Sequence, residues 1–194
     1  DEPLVQVDVS ASGRSVNDGY SAGGLMGLGT SKYRVHVLGS SEGGGDTQVD
    51  GGEIIPTAFE REVYGAGIGI RLGVHELGFG YRRHNTDHAG NPVLPMDMQE
   101  TGADIFNLTY GGAWGDAAID AQVFYSNVDH DMDNFSQRTP PANPMMNRFS
   151  ASKAEELGFK LSAAWPLERG ELTVGVDGHY AQNNMNIVNP SNAM

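Results

Sequence analysis

The chain contains no cysteine. Disulfide staples, thiolate metal sites and cysteine nucleophiles are therefore excluded. No apolar stretch reaches the ~18 residues that a membrane-spanning helix needs, so no transmembrane helix is expected. Positive charge is scarce: 12 Lys and Arg stand against 25 Asp and Glu, a formal net charge of −13. That balance argues against nucleic acid or an anionic membrane surface as a partner. It suits a surface that attracts cations, although a solvated acidic exterior explains it equally well. Helix-forming runs are hard to find. Only 39% of the 194 residues are hydrophobic and 27 are glycine, yet the apolar residues are regularly spaced, unlike those of a disordered chain.

What is present is alternation with period two, the signature of strands. Leu172, Val174, Val176, Gly178 and Tyr180 form one row, with Thr173, Gly175, Asp177 and His179 as its polar partner. Leu157, Phe159, Leu161, Ala163 and Trp165 form another, as do Ala117, Ile119, Ala121, Val123 and Tyr125. Shorter rows are Phe106, Leu108 and Tyr110, and Leu77, Phe79 and Tyr81. Further upstream come Tyr64 to Leu72, Tyr33 to Val37, and Val5 to Ala11. The glycine-rich stretch from Tyr20 to Leu28 carries the weakest strand signal.

The connections separate the possible architectures. Short turns are expected near Gly29 to Lys32, Gly73 to Val74, Gly111 to Asp116 and Pro166 to Gly170. Long polar connections are expected near Gly43 to Pro56, Arg83 to Thr101 and Asn127 to Ser152. Short and long alternate, which in an antiparallel sheet puts tight turns on one rim and long loops on the other. Outer-membrane barrels show that asymmetry, whereas a β-sandwich scatters loop lengths over both ends. Trp114 and Trp165, with Tyr110, fall near short turns. Tyr81, Tyr125 and Tyr180 fall near long loops, as two interfacial belts require. The opposite face carries Arg71, Arg82, Asp120, Glu156, Lys160 and Asp177, which a wet or plugged lumen solvates. The expected fold is all-β: an antiparallel transmembrane β-barrel, present as about nine strands. An even strand number closes bacterial barrels, so this piece is expected to be an unclosed part of one.

From Tyr33 onward the order of features resembles the barrel of TonB-dependent outer-membrane receptors. Two segments carry the likeness: Gly90-Asn91-Pro92-Val93-Leu94-Pro95-Met96-Asp97-Met98, and the run from Tyr125 through Asp129-His130-Asp131-Met132-Asp133-Asn134-Phe135-Ser136-Gln137-Arg138. The second is most similar to the copper-receptor branch. The resemblance implies a 22-strand barrel plugged by an N-terminal domain and powered through the inner-membrane TonB complex. On it, residues 1–194 are a partial barrel domain without the plug or the C-terminal strands, its first strand starting near Leu4. Asn183 onward is then expected to enter an outer loop, and the chain, which opens on Asp1, reads as a mature or truncated piece.

The resemblance also places two metal ligands of an outer loop on His130 and Met132, with Cys and Met of the plug completing the site. The chemistry fits, because a thioether prefers Cu(I) while imidazole accepts copper in either oxidation state. Period-two spacing points both side chains the same way. Spacing alone fits an incidental His and Met in a polar loop equally well. Met96, Met98, Met145, Met146 and Met185 also fall in expected outer loops, where soft-metal capture or apolar contact would each use them. His84 and His88 stand at i, i+4 without helical context. Asp129, Asp131 and Asp133 do not make an EF-hand, because Asn134 and Pro140 occupy its glycine and glutamate positions; a looser calcium-binding loop stays open. Gly65, Gly67 and Gly69 are expected to give close packing rather than a phosphate loop. Nothing assembles a catalytic triad, so no enzyme and no catalytic cofactor is expected. The expected function is import of copper, or of a copper complex, across the bacterial outer membrane. A ferric-siderophore receptor and a non-transporting adhesin or structural barrel are the alternatives. Outer-membrane lipid, TonB acting through a plug, and a metal or metal chelate are the expected partners.

Overall fold

β-Branched and aromatic side chains on alternate positions favour a pleated ladder, and the ladder forms. The computed structural model describes residues 2–190. Its strands are β1 (Leu4–Arg14), β2 (Gly19–Gly29), β3 (Tyr33–Gly44), β4 (Thr47–Val49), β5 (Gly52–Ile54), β6 (Phe59–Leu72), β7 (His75–Ala89), β8 (Asp97–Trp114), β9 (Ala117–Asp133), β10 (Phe149–Leu167) and β11 (Gly170–Val188). A single 3-10 turn, Pro144–Met146, interrupts the β9–β10 connection. Nine strands form one antiparallel sheet in the order β1-β2-β3-β6-β7-β8-β9-β10-β11, and β4 with β5 forms a small separate hairpin. The sheet is an up-and-down meander with β1 and β11 as its outer strands, and it is not closed. Among the described residues, no helix is long and apolar enough to cross a membrane.

Short turns join β2–β3, β6–β7, β8–β9 and β10–β11 on one rim. Gly73 and Gly115 take positive φ, 65° and 62°, at the first position of their two-residue turns. Such turns match the right-handed twist of the flanking strands. The opposite rim carries the longer connections 45–58, 90–96 and 134–148. The last two are shorter than the sequence implies, because β7 to β11 keep pairing after their apolar alternation ends. Period two fades once both faces meet water, but the backbone groups still need partners. For the same reason β11 runs past Asn183 to Val188 instead of entering a loop. The glycine-rich β2 pairs with β1 from Gly19 to Gly29, since its neighbours supply the ladder that its own composition favours weakly.

The register sorts the two faces from β1 to β11, with one shift, between Met98 and Glu100, at the outer end of β8. One cross-strand row runs Val7, Met26, Val37, Ala66, Tyr81, Phe106, Tyr125, Leu157, Tyr180. The next row on that face runs Val5, Leu28, Val35, Ile68, Phe79, Leu108, Val123, Phe159, Gly178. Between them, on the other face, lie Gln6, Gly27, His36, Gly67, Gly80, Asn107, Phe124, Gly158 and His179. Space on this second face comes from glycine. The ring of His36 occupies the place of a side chain at Gly67, Arg34 does so at Gly69, and Phe124 does so at Gly158. The close packing expected of this glycine row is therefore against neighbouring strands.

No dry interior lies behind either face. Among the described residues the buried apolar set is Ala117 alone, whereas Val7, Val123, Phe159 and Val176 are all exposed. Apolar rows this extensive on a water-soluble surface would be a severe aggregation liability. Strand length agrees with a different solvent. β8 to β11 are 17 to 19 residues long, well beyond the ~9–11 that cross a bilayer. Phe106 and Trp114 on β8 stand about 27 Å apart along the strand. A tilt of about 40° reduces this to roughly 20 Å, near the height of an apolar band.

Both ends of that band are built alike, from aromatic rings with tied polar tips. At the short-turn end the Trp114 Nε1–H donates to the Tyr110 hydroxyl at 2.6 Å, and that hydroxyl lies 2.8 Å from His75 Nδ1. At the long-loop end Tyr81 donates to Asp104 Oδ1 at 2.6 Å and Tyr125 donates to Glu155 Oε1 at 3.3 Å. Rings of Tyr81, Phe106 and Tyr125 follow one another with centroids 4.9 and 6.2 Å apart. Arg83 pairs with Asp104 just above them.

Candidate metal-capture face

Past the Tyr81–Phe106–Tyr125 girdle, the strand ends and long connections form a continuous layer, each tied sideways to the next. Gly45 N–H donates to the Asn17 carbonyl at 2.8 Å, and Gln48 N–H to that of Val16 at 2.7 Å. Asp46 Oδ1 accepts from the backbone of Thr57 and Ala58, at 2.6 and 3.0 Å. The Gly90 N–H then reaches the Ala58 carbonyl at 3.0 Å. Asn189 Nδ2 closes the series on the Met145 carbonyl at 2.6 Å.

The strongest tie joins the two segments that carried the family resemblance. Asp97 is 0% exposed and receives both Nε and Nη2 of Arg138 at 2.5 Å. Its Oδ1 also accepts the Asn91 N–H at 2.9 Å. Arg138 reaches on to the Leu94 and Asn91 carbonyls at 2.9 and 3.1 Å. The Asp97 carboxylate holds the Arg138 guanidinium above its ordinary pKa range, outweighing its desolvation. Beside it Gln137 Nε2 donates to the Met98 carbonyl at 2.5 Å. Asp133, also buried, accepts the N–H groups of Phe135 and Ser136 at 3.0 and 2.9 Å and so turns the chain out of β9. Asn134 spans the base of the connection, accepting from Arg148 N–H at 2.8 Å and donating to the Met146 carbonyl at 3.1 Å. Most polar residues of the two motifs thus fix loop geometry.

His130 and Met132 are not in a loop. Both lie on β9, which keeps pairing with β8 and β10 through Asp133. The extension arises because Asp133, not an earlier residue, supplies the turn. Both side chains project from the glycine-lined polar face, on the same phase as Gln122 and Phe124. His130 stands opposite Thr101 on β8 and Ser152 on β10, and Met132 stands opposite Met98 on β8 and Ser150 on β10. The buried Nε2 of His130 has no hydrogen-bond partner among the described residues, and the same holds for Thr101 Oγ1 and Gln99 Nε2. No set of three or more His, Asp or Glu side chains suited to a metal ion occurs among the described residues. A metal held here would need thioether as well as imidazole donors, which is the chemistry of a soft ion.

The other donors separate. Asp129 and Asp131 project from the opposite, apolar-phase face, while Asp133 is used in its turn, so the three aspartates do not converge. Met145 and Met146 sit exposed in the 3-10 turn. Met185 lies on the polar face of β11, opposite Ser152, and is also exposed. His84 is on β7, on the polar face with Arg82; burial and the nearby charges of Arg82 and Arg61 push its pKa below the ordinary imidazole value. His88 adopts a positive φ of 51° near the end of the same strand. Sequence reasoning missed the Asp97–Arg138 clamp and the pairing of Met98 with Met132. The first was signalled only by one acid and one base in adjacent motifs. The second depends on a register shift at Gln99.

No family model matches the chain, and no curated protein matches it. Among solved structures it is similar to "Copper transporter OprC", with a TM-score of 0.83 and 20% identity. The likeness covers 96% of this chain and 30% of that one, so the chain spans about a third of its length. At this identity the likeness is one of fold. The chain is all-β, an antiparallel β-barrel wall of nine strands among the described residues, open at both edges.

Proposed function

We propose that this chain is part of the barrel wall of a TonB-dependent outer-membrane receptor that imports copper, and that His130 and Met132 are capture ligands. The domain is then the wall alone, with the plug and remaining strands supplied by the rest of such a receptor. One observation carries the reading. The fold matches that of a copper transporter, and at the outer end of this wall an imidazole with an unpartnered buried nitrogen stands two residues from a thioether on one face. Imidazole and thioether together favour copper, Cu(I) above all, over hard divalent ions. The rigid loop layer holds these donors on paired strands rather than on a mobile loop, which lowers the ordering cost of binding.

On this reading lipid covers the rows through Val7 and Val5, and the backbone is satisfied between strands as a bilayer demands. The polar face, with Gln6, His36, Asn107, Lys160 and His179, lines the watery or plugged interior. Copper is captured at the outer end of that face, and TonB acting on the plug drives its release inward. The chain catalyses no reaction and holds no resident cofactor; copper is cargo. The test is titration of the full-length protein with Cu(I), alongside His130→Ala and Met132→Ala. Each variant is expected to lose affinity by at least about tenfold, since even outer-shell changes cost 10- to 100-fold at metal sites. Wild-type binding by both variants would remove the assignment.

A further inference from the structure

We infer that Met98 is a further thioether ligand of the same soft-metal site, supplied by β8 to the ion that His130 and Met132 hold; this rests on the reading above. Met98 and Met132 are direct cross-strand partners, and the residues on either side of them place both on the polar face. Side chains so placed have Cβ atoms about 4.5–5.5 Å apart. His130, two residues back along β9, lies about 7 Å away on the same face. Three donors from two adjacent strands are therefore neighbours on one face.

The local backbone is arranged to keep Met98 there. β8 carries a register shift between Met98 and Glu100, so the extra residue Gln99 is accommodated just below Met98. Bulges of this kind re-aim a side chain. Immediately before it, Asp97 is locked by Arg138, and the Met98 carbonyl itself accepts from Gln137 at 2.5 Å. On the other side of Met132 stands the small Ser150, and beside His130 the small Ser152, whose Oγ is taken up by the His130 carbonyl at 3.3 Å. No bulky group competes from that side. Met98 and Met132 are both half-buried, unlike the exposed Met145, Met146 and Met185. An imidazole nitrogen left without a partner adds a nitrogen donor to the two thioethers. Two thioethers with one imidazole make a softer site than His130 and Met132 alone, and so favour Cu(I) over Cu(II).

The test uses the full-length protein, with Cu(I) and the redox-silent Ag(I) as probes. The variant is Met98→Leu, which keeps volume and apolar contact and removes only the sulfur. Met132→Leu and His130→Ala report on the parent site, and Met185→Leu is a control two strands away. Met98→Leu is expected to weaken Cu(I) and Ag(I) at least about tenfold, as loss of a ligand should exceed the 10- to 100-fold range of outer-shell changes only upward. X-ray absorption on the copper-loaded protein should show one sulfur neighbour fewer than wild type. Wild-type affinity and sulfur count in Met98→Leu, with Met132→Leu and His130→Ala impaired, would overturn the role of Met98 and leave the parent site standing. If none of these variants loses affinity, both fall. Equal loss from Met185→Leu would also overturn the inference, by showing a diffuse methionine surface instead of a defined ligand.

Discussion

Replacing Asp97 with alanine should release the outer loop layer while leaving the sheet intact. The carboxylate is 0% exposed and accepts two N–H groups of Arg138 and one from the Asn91 backbone. Removing one partner of a buried, hydrogen-bonded pair costs about 3–5 kcal/mol. Arg138 keeps 21% of its side chain in solvent and also bonds the Leu94 and Asn91 carbonyls, which places the cost near the lower figure. At 1.4 kcal/mol per decade, about 3 kcal/mol is roughly a hundredfold rise in the population of the open layer. Hydrogen exchange read by mass spectrometry on peptides covering 90–96 and 134–148 should therefore accelerate by about that factor. Amides in the centres of β8 to β10 should be unchanged. Asp97→Asn, which keeps an acceptor for the Asn91 N–H but loses the charge, should fall between. Asp129→Ala, farther down β9 and outside the Arg138 clamp, should leave both connections as in wild type. Exchange in Asp97→Ala within twofold of wild type would refute the clamp as the tie that holds the layer.

Other consequences follow from the same geometry. Gly158→Val should destabilise the wall by about 1–3 kcal/mol through overpacking against the Phe124 ring, and Phe124→Ala should relieve most of it; denaturant unfolding of the full-length protein in detergent measures both. Arginine at Ala121, on the row midway between those of Phe106 and Trp114, should cost about 2–4 kcal/mol in lipid, whereas arginine at Gln122 on the polar face should cost far less. His84, with a pKa below that of a free imidazole, disfavours its own protonation in the folded state. Its contribution is complete above the unfolded value near 6.5 and is lost as pH falls through the folded value, so the β7 end of the layer should show lower protection factors, corrected for the intrinsic pH dependence of exchange, at pH 5 than at pH 7. His84→Gln should flatten that dependence.

The wall was legible because its physics is periodic. Rows such as Leu172, Val174 and Val176 put one chemistry on every second residue, and the pairing of β10 with β11 confirms the phase. The alternation of short and long connections fixed the meander before any register was visible. The same signal failed where period two stopped mattering. From Ser126 to Asp133 the apolar row is replaced by Asn127, Asp129, Asp131 and Asp133, so that strand extension looks like a loop, and the backbone ladder that orders it leaves little mark in side-chain pattern. β2 was weak for a related reason: Gly23, Gly24 and Gly27 carry little propensity, and pairing with β1 and β3 decides their state. At the site, the phase of His130 and Met132 along β9 was local and could be read. Met98 could not be joined to them, because its alignment depends on one extra residue at Gln99 and on a buried ion pair 41 positions apart in sequence.

The claim on which the rest depends is that the rows through Val5 and Val7 touch hydrocarbon while the face between them does not. The chain has no cysteine, so single cysteines placed at Val123 and Gln122 give unique positions in it for nitroxide labels. In the full-length protein reconstituted into bilayers, with any cysteine outside this chain replaced by serine, collision rates with oxygen and with a water-soluble nickel chelate distinguish lipid from water at each label. Oxygen should dominate at Val123 and the nickel chelate, or protection from both, at Gln122. A nickel-accessible label at Val123, or an oxygen-dominated one at Gln122, would contradict the account.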